Sequence, residues 1–372
     1  MCERYMKVAI AQAKKAIGRV SPNPMVGAVI VKKGEIVGMG YHHRAGSPHA
    51  EINALRKAGK KAKSADLYVN LEPCCHYGRT PPCVDAIIAS GLKKVIIGMK
   101  DPNPLVRGKG AARLRAAGIA THTGVLEEEC RKLNEIYIKY ITKKTPFGIL
   151  KVASSLDGKI ATKSGDSRGI SNNESLRYVH RLRDQCDAIM VGIGTIQADD
   201  PLLTTRLKGK AGKDPIRVIV DSSLKVSSWA RVFNVRSNAG VIVATTHRAA
   251  KRKKEKIEEL GARVITVGSA GGKVNLKRLM IALGKLDITS LLIEGGTGII
   301  TSALKDGIVD KILFFYAPKI LGGRTACGIT AGEGIVSVRQ ALNVQDLKVR
   351  RKGKDILLVG YVKGTPRRAR RN

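Results

Sequence analysis

Three short segments of this chain constrain its fold more than any other feature: His49-Ala50-Glu51, then Glu72-Pro73-Cys74, then Cys83 behind Pro81-Pro82. One imidazole and two thiolates make the three-ligand set of a catalytic zinc site, which keeps its fourth position open for water. A glutamate two residues from the histidine can stand beside that water without ligating, and can take up a proton and pass it on. The flanking sequence gives each donor a place. Pro48 before His49 suits a helix start, Cys74 follows the strand-like run Leu67 to Leu71, and Pro81-Pro82 sets Cys83 in the first turn of the next helix. Two helix N-termini then face one point, and their positive ends favour thiolates. At a helix start, a metal lying off the end is within reach of both His49 and Glu51, which would diverge in mid-helix.

The order H-x-E, then P-C, then a further cysteine is the signature of zinc nucleobase deaminases, where the motif ends P-C-x-x-C. Here Cys75, His76, Tyr77, Gly78, Arg79, Thr80, Pro81 and Pro82 separate the two cysteines, so Cys75 and His76 are rival ligands.

At 372 residues the chain suggests about two domains. Alternating helical and strand-like patterns in both halves predict an α/β protein with helices on sheet faces. In the first half the pattern gives a helix over Tyr5 to Ile17 and a hairpin of Gly27 to Val31 and Glu35 to Gly40 around Lys32-Lys33-Gly34. It continues with helices near His49 to Ala58, Leu105 to Ala117 and Leu126 to Tyr140. Thr145-Pro146-Phe147-Gly148 reads as a junction, dividing a domain 1–145 from a domain 146–362 and a basic tail, 363–372, expected to be disordered. Beyond it the alternation restarts, from a strand at Ile149 to Ala153 to a last strand at Asp355 to Val362.

The net charge of +37 invites a nucleic-acid reading. Yet residues 1–145 hold 26 basic and 11 acidic side chains and the remainder 41 and 19, so the excess is spread evenly and not clustered. Aromatic residues, which stack on single strands, are only 4%. A basic proteome or an anionic substrate is the better expectation, with Lys251-Arg252-Lys253-Lys254 on a solvated helix face. The apolar stretches are far shorter than the roughly 18–20 residues of a membrane span. No secretory signal is expected, and the seven cysteines then read as reduced, in a cytoplasmic protein.

The second half lacks a complete G-x-G-x-x-G. Gly192-Ile193-Gly194-Thr195 and Gly295-Gly296-Thr297-Gly298 each follow a predicted strand, and such turns present backbone N–H groups to phosphate. Two of them in one domain point to a dinucleotide.

Taken together, the run from Glu72 to Cys83, His49-Ala50-Glu51, Pro22-Asn23-Pro24 and Asp101-Pro102-Asn103-Pro104 closely resemble the bifunctional riboflavin-biosynthesis deaminase/reductase family. So do Ser154-Ser155-Leu156-Asp157-Gly158-Lys159, Asp199-Asp200-Pro201 and Ala317-Pro318-Lys319, so the likeness spans about residues 1 to 362. It implies a cytidine-deaminase-like three-layer N-terminal domain and a dihydrofolate-reductase-like C-terminal domain. The first would deaminate 2,5-diamino-6-ribosylamino-4(3H)-pyrimidinone 5′-phosphate hydrolytically; the second would reduce its ribosyl group to ribityl with NADPH.

Carried over by position, His49, Cys74 and Cys83 match the ligands of one zinc ion (Zn2+) per chain, and Glu51 the proton shuttle. Asn23, His42, His76, Arg79, Asp101 and Asn103 match the deaminase substrate pocket. Ala153, Gly169, Thr195, Asp199, Ser222 and the loop Gly296, Thr297, Gly298, Ile299, Ile300 and Thr301 match NADPH positions. Ser167, Arg183, Leu203, Arg206 and Glu294 match reductase substrate positions, the two arginines as a phosphate clamp. Cys75 stands where relatives carry serine and Gly169 where they carry tryptophan. Lys151 and Asp157 are further candidates for steadying the opened sugar. Rival readings are a deaminase with an inactive second domain, an RNA-binding or RNA-editing deaminase, and a closed structural zinc module. A homo-oligomer is left open.

Overall fold

Lys33 and Gly34 adopt φ of 51° and 86° and close the predicted hairpin, whose strands β1 (Gly27–Lys32) and β2 (Glu35–Tyr41) pair antiparallel. The hairpin belongs to the first of two compact units, which divide after Lys144. The structure, a computed structural model, describes residues 2–78, 81–209 and 211–362. Arg79 and the tail 363–372 lie outside the described residues.

The first unit adds strands β3 (Asp66–Leu71), β4 (Lys94–Met99) and β5 (Ala120–Thr123), giving a sheet of order β2-β1-β3-β4-β5. β3, β4 and β5 are mutually parallel. The helices are α1 (Cys2–Lys14), α2 (Ala50–Ala58), α3 (Cys83–Ala89), α4 (Lys109–Ala116), α5 (Glu127–Leu133) and α6 (Glu135–Lys143). Two glycines show how they pack. A Cβ on Gly27 would strike the α1 backbone at Ala9, and one on Gly40 the α2 backbone at Ala50. Gly27 pairs with Tyr41 and Gly40 with Ala28, so the two glycines face opposite sides of the sheet. Helices therefore cover both faces, in three layers.

The predicted helix from Leu126 to Tyr140 is two helices. They break at Asn134, whose side chain accepts the Met25 N–H (2.8 Å) and donates to the Met25 carbonyl (3.0 Å). The predicted helix from Leu105 begins only at Lys109, behind Gly108 at φ 77°.

The second unit contains, in order, β6 (Phe147–Ser155), β7 (Lys159–Ala161), α7 (Asn173–Gln185), β8 (Ala188–Gly192), α8 (Ile193–Asp199), β9 (Ile216–Val220), β10 (Val241–Thr245), α9 (Lys251–Glu259) and β11 (Arg263–Thr266). Then follow β12 (Ser269–Ala270), β13 (Lys273–Val274), α10 (Leu276–Gly284), β14 (Ser290–Ile293), α11 (Thr297–Lys305), β15 (Lys311–Ala317), β16 (Cys327–Gly328), β17 (Val344–Lys352) and β18 (Asp355–Val362). Nine strands form one sheet, ordered β11-β10-β9-β8-β14-β6-β15-β18-β17. It is parallel from β11 to β15 and ends in two antiparallel strands. Central strands such as β10 and β14 are buried along their whole length, as a parallel sheet covered on both faces requires.

Phe147 and Gly148, placed at the junction from sequence, already belong to β6. The basic run at Lys251 opens the exposed helix α9, as expected. No helix among the described residues is long and apolar enough to cross a membrane.

Candidate metal centre and cofactor cleft

In the first unit, the carboxyl end of β3 and the starts of α2 and α3 converge. His49 is the N-cap of α2, Cys83 is the first residue of α3, and Cys74 lies three residues past the end of β3. Their donor atoms all lie within 4.8 Å of one another. His49 Nδ1 is 3.1 Å from Cys83 Sγ and 3.5 Å from Cys74 Sγ. A tetrahedral zinc, with nitrogen at 2.0–2.1 Å and sulfur near 2.3 Å, sets such ligands about 3.5 Å apart. The donor set and its spacing thus fit zinc. Among the described residues this is the one group of three or more His, Cys, Asp or Glu side chains so gathered.

Hydrogen bonding from Cys83, and then from His49, holds the Cys74 thiol down at about 4 despite its burial, while Cys83 is pushed strongly up by its hydrogen bond with Cys74. A thiol held low in this way is a donor suited to a cation. Glu51 is buried beside it at 3% exposure, and its Oε2 has no hydrogen-bond partner. Burial, and then the Cys74 charge, push its carboxyl up to about 7. A buried carboxyl oxygen left without a partner at a ligand cluster is where a water or substrate proton belongs.

Two of the candidates, Asn23 and His42, stand beside the His49 ring. Asn23 Nδ2 is 3.0 Å from His42 Nε2, His42 Nδ1 is 3.3 Å from the Pro48 carbonyl, and the His42 and His49 rings meet edge to face at 5.1 Å. Burial lowers the His42 pKa, so a neutral ring donates to Pro48 and accepts from Asn23. Asp101 is buried, accepting from Tyr137 OH (3.0 Å) and the Asn103 N–H (2.8 Å). Burial raises its carboxyl to about 6. Asn103 Oδ1 in turn accepts the Leu105 N–H. His76 is half-buried, with Nδ1 unpartnered. Cys75, the rival donor, points its sulfur toward the Leu105 carbonyl instead of into the triad.

Sequence reasoning missed the residues that hold this wall in place. Glu72 Oε2 accepts the N–H groups of Asp101 (3.2 Å) and Gly108 (3.0 Å), and Oε1 that of Ala111 (3.0 Å). Asn70 accepts the Gly27 N–H (2.7 Å) and donates to the Met25 carbonyl (2.9 Å), fixing the loop that carries Asn23. Glu72 stood inside the motif, but only the fold reveals that its partners lie beyond β4, in a loop and the start of α4.

In the second unit the two glycine turns follow β8 and β14, which are adjacent parallel strands. Ligands of open α/β sheets bind at such carboxyl ends. The turns border a cleft of about 350 Å³, lined by Gly192 to Thr195, Gly296, Gly298 and Ile299, with Ser222 and Ser223 behind. Thr195 Oγ1 accepts the Gly296 N–H at 3.2 Å, tying one turn to the other. Gly194, Gly296 and Gly298 have open space where a Cβ would stand, so their backbones line the cleft directly. A dinucleotide fits this cradle.

The remaining cofactor candidates lie elsewhere. Ile300 is wholly buried in the apolar core, so its side chain cannot reach a cofactor. Thr297 donates to the Gly328 carbonyl and Thr301 accepts the Ala331 N–H, so both hydroxyls serve the 328–331 loop. Ala153 is on β6, Asp199 is exposed at the end of α8, and exposed Gly169, at φ 68°, accepts from Lys319 Nζ.

Of the substrate candidates, Arg183 and Glu294 form one ion pair, with Nη2 3.0 Å from Oε2, and Lys151 Nζ is 3.8 Å from the same oxygen. Burial alone would raise the Glu294 carboxyl, but Arg183 and Lys151 hold it at about 2. Of the two arginines expected to clamp the phosphate, Arg183 gives Nε and Nη2 to Glu294 and Nη1 to the Thr204 carbonyl, because a buried carboxylate needs a cation. Arg206 is exposed, with Nη1 on Thr204 Oγ1. His180, not singled out from sequence, accepts the Arg206 N–H. Leu203 is buried at φ 55°, and Ser167 is half-buried in the loop after β7. Asp157 accepts the N–H groups of Leu321 and Gly322, joining two loops.

The comparisons agree with this division. The family described as cytidine and deoxycytidylate deaminase zinc-binding region matches residues 1–99, and the family described as RibD C-terminal domain matches residues 146–358. The chain is 46% identical to the riboflavin biosynthesis protein RibD of Aquifex aeolicus, over 96% of this chain and 97% of that one. Among solved structures, RibD of Acinetobacter baumannii superposes with a TM-score of 0.86 at 35% identity, covering 97% of this chain and 99% of that one. A diaminohydroxyphosphoribosylaminopyrimidine deaminase/5-amino-6-(5-phosphoribosylamino)uracil reductase of Thermotoga maritima gives 0.84 at 41% identity, with the same coverage. The N-terminal unit is therefore cytidine-deaminase-like and the C-terminal unit a dihydrofolate-reductase-like RibD reductase domain. With both domains matched and the likeness running almost end to end, the chain belongs to the RibD family of bifunctional riboflavin-biosynthesis deaminase/reductases.

Proposed function

We propose that the first unit deaminates 2,5-diamino-6-ribosylamino-4(3H)-pyrimidinone 5′-phosphate at the His49–Cys74–Cys83 centre, and that the second unit reduces the deaminated product's ribosyl group to ribityl. The observation that carries the proposal is Glu51: a buried carboxylate with an unpartnered oxygen beside three convergent donors. His49, Cys74 and Cys83 would hold the zinc of this enzyme family. When bound, zinc supplies Lewis acidity that makes water a nucleophile near neutral pH.

Glu51 takes the proton from the attacking water and delivers it to the departing amine nitrogen, so that ammonia leaves. Asn23 and His42, linked at 3.0 Å, offer a donor and an acceptor edge to the pyrimidine. Asp101 and Asn103, from the segment that Glu72 anchors, would hold the ring's polar edge.

In the second unit the reductant is NADPH, which supplies hydride when bound. The turns at Gly192 to Thr195 and at Gly296 to Gly298 would receive its phosphates. Arg183 and Lys151 hold Glu294 ionised, which makes that carboxylate an acceptor for sugar hydroxyls. Arg206 is the cation available to the substrate phosphate.

The enzyme works in the cytoplasm on this reading; the unpaired state of all seven cysteines supports a reducing compartment. The test is incubation of the purified, zinc-loaded protein with the diaminopyrimidine phosphate, with and without NADPH, following products by mass. Deamination alone without NADPH, and a further gain of two hydrogens with it, is the expected result. Ammonia release without any NADPH-dependent product would leave the first unit a deaminase and overturn the second assignment.

A further inference from the structure

We propose that Lys225 and Lys273 select the phosphorylated dinucleotide over its unphosphorylated counterpart, by binding the 2′-phosphate on the adenosine ribose. The inference rests on the reading of the cleft between the two glycine turns as the dinucleotide site.

In dinucleotide-binding α/β sheets, an acidic residue beyond the glycine turn holds the ribose 2′-hydroxyl of the unphosphorylated cofactor, and a cation accommodates the 2′-phosphate of the other. Here the strand beside β8 is β9, which leads directly into Asp221-Ser222-Ser223, and all three residues border the cleft. Asp221 occupies the place from which a carboxylate would meet a ribose hydroxyl. Its side chain, however, is withdrawn. The residue is 1% exposed, with Oδ2 accepting the Val226 N–H (2.8 Å) and Oδ1 the Ser223 N–H (3.3 Å). The acceptor that would favour an unphosphorylated ribose is spent on its own turn.

What lines the opening instead is basic and hydroxylic: Ser222, Ser223, Lys225 and Lys273. Lys273 comes from β13, and the neighbouring Val274 N–H, 52 positions beyond Ser222, donates to the Ser222 side-chain Oγ at 3.1 Å and brings it there. Both lysines are exposed. Neither makes an ion pair or side-chain hydrogen bond among the described residues, whereas Lys213 and Lys151 of the same unit are paired with carboxylates. The guanidinium of Arg248 lies against Gly272, next to Lys273, and adds a further positive charge at this end. Asp221 is the one acidic residue of the lining. A dianionic phosphate here would meet two unneutralised ammonium groups and two hydroxyls, and a ribose without it would leave them idle.

The experiment is calorimetric titration of the full-length, zinc-loaded protein with NADP+, NAD+, 2′,5′-ADP and 5′-AMP, for wild type, Lys225→Gln, Lys273→Gln and the double variant. Charge-assisted contacts of this kind are worth about tenfold in affinity each. Each single variant is expected to bind NADP+ and 2′,5′-ADP about tenfold more weakly, and the double variant more weakly still, with NAD+ and 5′-AMP changed less than about twofold. Equal wild-type affinity for NADP+ and NAD+, unchanged NADP+ binding in the double variant, or an equal loss for both dinucleotides overturns the role of the lysines while leaving the cleft as the cofactor site. Failure of the wild type to bind any of the four ligands overturns the reading of the cleft itself.

Discussion

Arg183 grips Glu294 with two nitrogens, Nη2 at 3.0 Å from Oε2 and Nε at 3.3 Å from Oε1. The pair joins α7 to the end of β14, so it fixes the wall of the reductase site as well as its charge. Removing the carboxylate leaves a nearly buried guanidinium without its partner. Glu294→Gln is therefore expected to lower unfolding free energy by about 3 kcal/mol at pH 7. The folded carboxyl titrates at about 2, below the usual 4.5, so its contribution is complete above about pH 4.5 and shrinks as pH falls toward 2. Urea unfolding of both proteins should show the gap between them constant from pH 7 to 5 and narrowing below 4.5. A gap independent of pH would contradict the ion pair as its source.

Glu51→Gln keeps the shape of the side chain and removes its capacity to carry a proton. Ammonia release is expected to fall about 100- to 10,000-fold, with zinc content unchanged at about one ion per chain by elemental analysis. Loss of zinc together with activity would make Glu51 a ligand and not a proton carrier.

Cys74→Ser and Cys83→Ser should each purify with little or no zinc, while Cys75→Ser should retain it, because the Cys75 sulfur faces the Leu105 carbonyl. Chelation of the wild-type protein should stop deamination and spare NADPH-dependent reduction of the deaminated substrate. Zinc loss in Cys75→Ser would reverse the ligand assignment.

Glu72→Ala would strand three main-chain N–H groups, those of Asp101, Gly108 and Ala111. A destabilisation of about 2–4 kcal/mol is expected, with a raised KM for deamination because the Asp101 loop loses its anchor. Glu72→Gln, which keeps acceptor oxygen at one position only, should fall between the two. Full stability in Glu72→Ala would show that water replaces the carboxylate.

Much of the metal centre was legible because its donors are few, chemically distinctive and flanked by prolines that mark helix starts. His49 and Cys83 fall where Pro48 and Pro82 place them. The parallel strands were legible as apolar runs, and the last strand, β18 (Asp355–Val362), has the bounds that the pattern gives. β17 was not, since VQDLKVRRK lies almost wholly exposed at the sheet edge and carries no burial pattern to read. The break at Asn134 was also hidden, because its cause is a bond to Met25, more than a hundred positions away. The pairing of Arg183 with Glu294 is likewise a product of long-range packing, which local periodicity does not encode.

The segments bearing the two sulfur donors are spliced to each other directly: the Cys83 N–H reaches Cys74 Sγ at 3.3 Å, and the Val84 N–H donates to the Cys74 carbonyl at 3.2 Å. The two sulfur donors are consequently positioned by each other's main chain, so the grip on the ion is set where the two segments meet.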